Sequence, residues 1–202
     1  MLTHLRPALV LLVLMTVLTG VAYPMAITGL AKLLFPQQAR GSLVIRDGKV
    51  VGSSLIGQSF TSDKYFHGRP SATTDTDPKD PSKTIPAPYN AANSNGSNLG
   101  PTSKALVESV NAAAEKLHMD GAKEVPVDLV TASASGLDPD ISPAAAQFQI
   151  SRIAKARNVP EAKVSALVDQ FTEYRLLGFI GEPHVNVLAL NLALDEMTAP
   201  NR

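Results

Sequence analysis

Residues 8–30, ALVLLVLMTVLTGVAYPMAITGL, decide the architecture of this chain. The stretch holds no charged residue, and no second run like it occurs downstream. As a helix rising about 1.5 Å per residue it would be roughly 35 Å long, enough to cross a hydrocarbon core of about 30 Å with some tilt. The same run also offers the parts of a signal peptide: Arg6 ahead of it, an apolar stretch over residues 8–18, and small residues at Gly20-Val21-Ala22. Apolar character continues past that point through Met25, Ile27 and Leu30, which a spanning helix needs and a signal peptide does not. We therefore read a retained anchor. Pro24 removes a backbone donor inside the span, which membrane helices tolerate when neighbouring groups compensate. Gly20, Ala22, Ala26 and Gly29 let another helix approach closely, without the regular spacing of a small-residue seam.

Outward from this run, the expected organisation is a tail at residues 1–7, a transmembrane helix at 8–30 and a soluble α/β (α+β) domain at 31–202. Charge does not settle orientation. Arg6 flanks one side of the span, and Lys32, Arg40, Arg46 and Lys49 flank the other. A strict count of basic residues puts the domain inside, but long domains translocate largely regardless of charge. Cysteine is absent, which is compatible with either side. Eighteen basic and 18 acidic residues balance, so composition implies no polyanionic or polycationic partner. No basic stripe with interleaved aromatics appears, which argues against nucleic acid. Tryptophan is absent, so the core must be built from Val, Leu, Ile and Ala.

Asp47-Gly48 between residues 43–45 and 49–51 predicts a tight hairpin, because the pair tolerates the positive φ such a turn needs. Residues 55–60 continue as extended chain. From 70 to 101 the composition shifts to Pro, Ser, Thr, Asn, Asp and Gly, predicting a long irregular polar loop. A first helix is expected over 103–119, with Leu106, Val107, Val110, Ala114 and Leu117 on one face and Gly121 ending it. Residues 125–132 read as a short strand, rich in Val and Thr. A second helix opens at Ser142-Pro143, a hydroxyl cap followed by proline, with Asp138 and Asp140 suiting its positive end. A third covers 161–174, with Val164, Leu167, Val168 and Phe171 as its stripe. Residues 184–194 read as a final strand or short helix.

The search for chemistry excludes more than it finds. The chain has no G-x-x-x-x-G-K-[ST] loop, no G-x-S-x-G elbow and no S-x-x-K. His4, His67, His118 and His184 are scattered without metal-ligand spacing, so neither a metal site nor a catalytic residue is assigned. Asp138-Pro139-Asp140 lacks the further ligands of a calcium loop and is better explained as helix capping. Two polar groupings remain. Tyr65 to Ser71 sets Gly68, Arg69, Pro70 and Ser71 beside aromatics, where Arg69 reads first as a structural tie and second as a partner contact. Gln149 and Arg152 lie three residues apart on one face of the second helix, placed to bind a ligand or simply to coat the helix.

Several segments resemble the C subunit of the Kdp-type potassium-transporting ATPase of bacteria and archaea (the KdpC family). They are Leu5-Arg6-Pro7-Ala8, Tyr23-Pro24, YFHGRPSA at 65–72, Ser97-Asn98-Leu99-Gly100 and VPVDLVTASASGLDPDIS at 125–142. RIAKARN at 152–158, Gly181-Glu182-Pro183 and VNVLALNLAL at 185–194 complete the set. The resemblance implies a single-span accessory subunit of a high-affinity potassium uptake complex in the plasma (inner) membrane. It would be partnered by a channel-like subunit and by a P-type ATPase subunit that hydrolyses ATP. The chain lacks the D-K-T-G-T phosphorylation motif, as a subunit without the phosphorylated residue should. The resemblance further implies a catalytic chaperone that raises the ATP affinity of the pump subunit, with Gln149 matching a proposed nucleotide contact, Gln147 a nearby competitor for that match, and Arg152 beside it. No tightly bound cofactor follows; ATP would come through the complex. The family's usual topology places the amino terminus inside and the large domain outside, away from cytoplasmic ATP. A second expectation is therefore an extracytoplasmic lid or stabiliser of the potassium pathway with no nucleotide contact. Pro24 would then be a packing feature against partner helices. A third, from another class, is an anchored hydrolase using Thr131, Ser133 and Ser135, for which no general base accompanies the hydroxyls in sequence.

Overall fold

The computed structural model of the protein describes residues 4–118 and 124–198. The chain divides into two units, Met1–Ser53 and Ser54–Arg202. In the first, one helical rod runs over Leu5–Leu34, and an 18-residue window of it reaches a mean hydropathy of 2.2. It extends beyond the apolar run at both ends. The rod consists of α1 (Leu5–Val17), a π-helical turn at Leu18–Ala22 and α2 (Tyr23–Leu34). The π turn lies immediately before Pro24. In a regular α ladder the pyrrolidine ring would press on the Gly20 carbonyl and leave it without a donor. The wider turn absorbs that conflict: the Tyr23 N–H reaches back five residues to the Leu18 carbonyl. Thr19 Oγ1 donates to the Met15 carbonyl at 2.7 Å, compensating within the same bend. Every residue of this rod except Ala31 is exposed, the state expected of a helix whose surroundings are lipid or partner helices.

After the single turn α3 (Pro36–Ala39) come β1 (Leu43–Arg46) and β2 (Lys49–Ser53), which pair antiparallel. The expected hairpin is present. Asp47 (φ 50) and Gly48 (φ 73) both take the positive φ that this turn demands.

The second unit is α+β. Its longest helices are α4 (Lys104–His118), α5 (Pro143–Arg157), α6 (Glu161–Gln170) and α7 (Val187–Thr198). A small antiparallel sheet has the order β5 (Asp140–Ile141), β7 (His184–Asn186), β6 (Thr172–Glu173). Ile141 and Thr172 both face Val185 across it. The core is Ile153 of α5, Val164 and Val168 of α6, Leu190 and Leu194 of α7, Val185 of β7, and Phe66 from a strap with no regular structure. Burying each such side chain is worth about 1.5–3 kcal/mol relative to exposing it.

Five expectations are corrected. The 70–101 loop contains a hairpin, β3 (Thr74–Asp77) with β4 (Asp80–Pro86). Neither strand has apolar alternation, so no period announces them. Residues 125–132 form no strand; Val127–Leu129 is a 3₁₀ turn. The Asp128 carboxylate accepts the Ser142 N–H at 2.7 Å and holds that turn against the start of α5, while Val127 is left 70% exposed. The third helix stops at Gln170, because Thr172 leaves it to pair with Val185. Within α4, Val107 is exposed, whereas Leu106, Val110, Ala114 and Leu117 are partly buried as expected. Met119 and Gly121 lie outside the described residues. Residues 184–194 are a strand and then a helix, not one or the other.

Candidate functional site

Both polar groupings named from sequence meet in one place, where the strap of residues 62–71 crosses the face of α5. Gln149 projects from the middle of α5 and is 4% exposed. Its Oε1 accepts the His67 N–H at 2.8 Å and an Arg152 Nη2 bond at 2.8 Å. Its Nε2 donates to the His67 carbonyl at 3.1 Å and the Ala145 carbonyl at 3.2 Å. Two acceptor positions and two donors are all that an amide side chain has, and each is engaged. Arg152 donates from Nη1 to the Asp63 carbonyl at 2.7 Å and from Nη2 to the Tyr65 carbonyl at 3.0 Å. The pair thus substitutes for a neighbouring strand, satisfying backbone groups of a strap that has no ladder.

A second buried amide repeats the device one residue earlier. Asn191 of α7, 1% exposed, accepts the Phe66 N–H at 2.8 Å and donates to the Phe66 carbonyl at 2.9 Å. Consecutive peptide units are therefore held from two helices, with the Phe66 ring driven into the core between them. Arg157, one turn beyond Arg152, secures the strap's start: Nε donates to the Lys64 carbonyl at 2.6 Å, Nη2 pairs with Asp195 at 2.8 Å, and the guanidinium lies 4.8 Å over the Tyr65 ring. Sequence reading singled out neither Asn191 nor Arg157. A lone polar residue inside the apolar run 187–194 was the available signal for Asn191, since a polar group buried there must find partners.

Arg69 is tied to the segment that precedes α5. Its Nη1 meets Asp138 Oδ2 at 3.3 Å, and Nη2 reaches Thr131 Oγ1 and the Ala132 carbonyl, each at 3.4 Å. Both ion-pair partners are about a quarter to a third exposed, so solvent screens much of their attraction. Gly68 lies under Tyr89, whose hydroxyl donates to the Arg69 carbonyl at 2.7 Å. Burial, reinforced by Asp138 and opposed by Arg69, pushes the Tyr89 phenol up to about 12, so it remains a donor. Ser71 Oγ donates to the Gly136 carbonyl at 2.7 Å and accepts the Tyr89 N–H at 3.0 Å. Pro70 continues the strap between them. Ser142 caps α5 as expected, accepting the Ala145 N–H at 3.1 Å. The nearby carboxylates do other work: Asp138 holds Arg69, and Asp140 accepts Asn186 Nδ2 at 2.9 Å. Burial raises Asp140 above the usual carboxylate range, with the Asn186 bond opposing. Pro24 belongs to the other unit.

Beside the strap lies a groove of about 1410 Å³ between α4 and α5. Phe60, Leu117 and Phe148 supply apolar wall, and Lys116, Arg152 and Lys155 set three cations at its edge against Asp63. Gly68, Arg69, Pro70, Ser71, Gln149 and Arg152 all line it, whereas Asp138 and Ser142 do not. Among the described residues no group of three or more His, Asp or Glu side chains could hold a metal ion. The hydroxyls considered for hydrolysis turn to backbone. Thr131 Oγ1 donates to the Val127 carbonyl at 2.7 Å, Ser133 Oγ accepts the Gly136 N–H at 2.9 Å, and Ser135 Oγ accepts the Leu137 N–H at 3.1 Å.

Comparison with known proteins gives this architecture its family. The model of the K+-transporting ATPase c chain, KdpC, matches residues 5–196. The potassium-transporting ATPase KdpC subunit of Methylobacterium nodulans is 68% identical over 198 residues, covering 98% of both chains. Its counterpart in Bradyrhizobium diazoefficiens is 64% identical over 200 residues, covering 98% of this chain and all of the relative. That of Rhodopseudomonas palustris is 63% identical over 196 residues, covering 96% and 98%. With one apolar rod long enough to span a membrane, a strap-locked α+β unit and matches over nearly the whole chain, this protein belongs to the KdpC family, the c chains of potassium-transporting ATPases.

Proposed function

We propose that this chain is an accessory subunit of a high-affinity, ATP-driven potassium uptake complex, anchored in the plasma membrane by Leu5–Leu34. Its amino terminus is cytoplasmic and its α+β unit extracytoplasmic. Its partners are a channel-like potassium-translocating subunit and a P-type ATPase subunit. It stabilises that assembly, and it raises the pump subunit's ATP affinity through the assembly rather than by holding nucleotide itself. The observation that carries this reading is the closed pairing of Gln149: its four hydrogen-bond positions are spent inside the fold, so none is free for a nucleotide without releasing the strap.

Co-purification in mild detergent tests it. The chain should emerge with both partners, and omitting it should reduce potassium-stimulated ATP hydrolysis and raise the KM for ATP. Recovery of the chain alone, or a complex indifferent to its loss, would overturn the assignment. A second reading, direct nucleotide contact, draws support from the cationic edge of the groove at Lys116, Arg152 and Lys155. Lys116→Ala with Lys155→Ala would then raise the KM for ATP in a fully assembled complex. An unchanged KM would leave the indirect role.

A further inference from the structure

Between β6 and β7 the chain projects a finger over residues 173–182, all exposed. It carries Tyr174, Leu176, Leu177, Phe179 and Ile180, with Tyr174, Leu177 and Phe179 each 74–76% exposed. A water-soluble surface rarely concentrates five large apolar side chains on one short loop without covering them. Leu177 (φ 54) and Gly178 (φ 83) form the tight turn at the tip.

Three features say what covers the finger. Its backbone is internally satisfied: the Leu176 and Ile180 N–H groups donate to each other's carbonyls at 2.9 and 3.0 Å, and the Gly178 N–H donates to the Arg175 carbonyl at 3.0 Å. Peptide groups so paired can enter a medium without water, and they offer little open edge for strand addition by another protein. The finger's charges stay at its base: Arg175 pairs with Glu182 at 2.5 Å and Glu173 lies 3.7 Å from His184, so no charged residue falls within the apolar tip, Leu176 to Ile180. Finally, a bilayer is always nearby, because residues 35–53 tether this unit to the spanning rod and keep its effective concentration at the membrane high. Tyr, Phe, Leu and Ile above a paired arginine also match the composition of the membrane–water interface.

We propose that the finger of residues 173–182 is a membrane-docking element whose tip, Leu176 to Ile180, inserts into the interfacial layer of the bilayer that holds the anchor. The inference rests on the anchored reading above. Its consequence is a second point of attachment, which limits how the unit can turn about its tether.

The absence of tryptophan makes the test direct. Phe179→Trp places a sole reporter on the tip, and Val127→Trp places a control on an exposed turn elsewhere in the unit. The full chain is reconstituted into phosphatidylcholine vesicles with and without acyl-brominated phosphatidylcholine, and retention is verified by flotation. The expected result is blue-shifted Phe179→Trp emission, strongly quenched by bromine, and water-like, unquenched Val127→Trp emission; both should persist in the assembled complex. Water-like emission from both reporters in a chain that floats would overturn the finger alone, whereas failure to float would overturn the anchored reading. Emission that shifts blue only on assembly and resists bromine would mean that a protein partner covers the tip, and would equally overturn the proposal. Quenching of both reporters would mean non-specific adsorption and overturn it too.

Discussion

Gln149 and His67 are joined at two points: the His67 N–H donates to Oε1 at 2.8 Å and Nε2 donates to the His67 carbonyl at 3.1 Å. A side-chain amide here does what an adjacent β-strand would do for the strap. Replacing it strands two backbone groups and one guanidinium bond in a largely buried setting. Each unsatisfied group costs about 1–3 kcal/mol, so Gln149→Ala should destabilise the unit by roughly 2–4 kcal/mol. The denaturant midpoint of the full chain in detergent, followed by circular dichroism, checks this. An unchanged midpoint with weakened ATP dependence would return Gln149 to the nucleotide.

Asn191 holds the neighbouring peptide of Phe66, so the two amides act on one segment. Once either is lost, the strap and the Phe66 ring can lift together, and the second amide has less left to hold. Gln149→Ala and Asn191→Ala should therefore be less than additive, with a coupling of about 1 kcal/mol or more in a double-mutant cycle. Strict additivity would mean that the two clamps are independent.

Much of this fold is readable in the residues, and the failures have physical causes. The long apolar N-terminal helix, the Asp47-Gly48 hairpin, the Ser142 cap and the Val164–Val168 stripe each follow from a local rule of length, turn chemistry or period, and each is present. β3 and β4 carry Thr, Asp, Lys and Pro with no apolar face, so their pairing leaves no periodic trace. The Val- and Thr-rich stretch at 125–132 looks like a strand because composition cannot reveal that Asp128 will be fixed by the Ser142 N–H. Gln149 and Arg152 were legible as one face of a helix. That the face is occupied by the strap depends on contacts more than 80 residues apart in sequence, which no local pattern encodes.

Gly68 and Tyr89 make a tight pair whose failure should be reparable. A Cβ at residue 68 would collide with the Tyr89 hydroxyl, which itself holds the Arg69 carbonyl. Gly68→Ala should cost about 1–3 kcal/mol by overpacking, and Tyr89→Phe about 1 kcal/mol for the lost hydrogen bond. The double variant should be more stable than the sum of the two, because removing the hydroxyl clears the space that the new methyl needs. Thermal melts of the three variants decide it. A strictly additive result would mean that the methyl's clash is with backbone.

Acid should loosen the strap. Burial, with the Arg152 charge adding to it, holds the His67 imidazole below its ordinary value, while the Ser62 carbonyl and Asp63 oppose. A base whose folded value lies below its unfolded value of about 6.5 binds protons more readily when unfolded. Its neutral form gives full stability above about pH 6.5, and stability falls as pH drops through that value towards the folded one. Asp140 acts with the opposite sign at lower pH: its raised value means that protonation relieves the cost of burying its charge as acidity increases. Denaturant midpoints between pH 7.5 and about 5.5 should therefore fall in the native chain and flatten in His67→Gln. An equal slope in both would remove His67 as the cause.

Pro24 and the turn Leu18–Ala22 should matter for assembly more than for insertion. The π turn inserts one residue into the ladder, and one residue is about 100° of rotation in an α-helix. The side chains of α2 therefore point to a different side of the rod than a continuous α-helix would give them, Ala26 and Gly29 among them. Pro24→Ala restores a donor for the Gly20 carbonyl and removes the clash that the wide turn absorbs. The rod should relax towards regular α geometry, with its length and apolarity nearly unchanged. Membrane retention should then persist while co-purification with the partner subunits drops, because the close-approach face of α2 has been rotated away from them. Solvent-accessible cysteine labelling along residues 25–34, in the complex and in the isolated chain, would show the rotated pattern directly. Undiminished co-purification would make the rod an inert tether and place the stabilising contacts in the α+β unit.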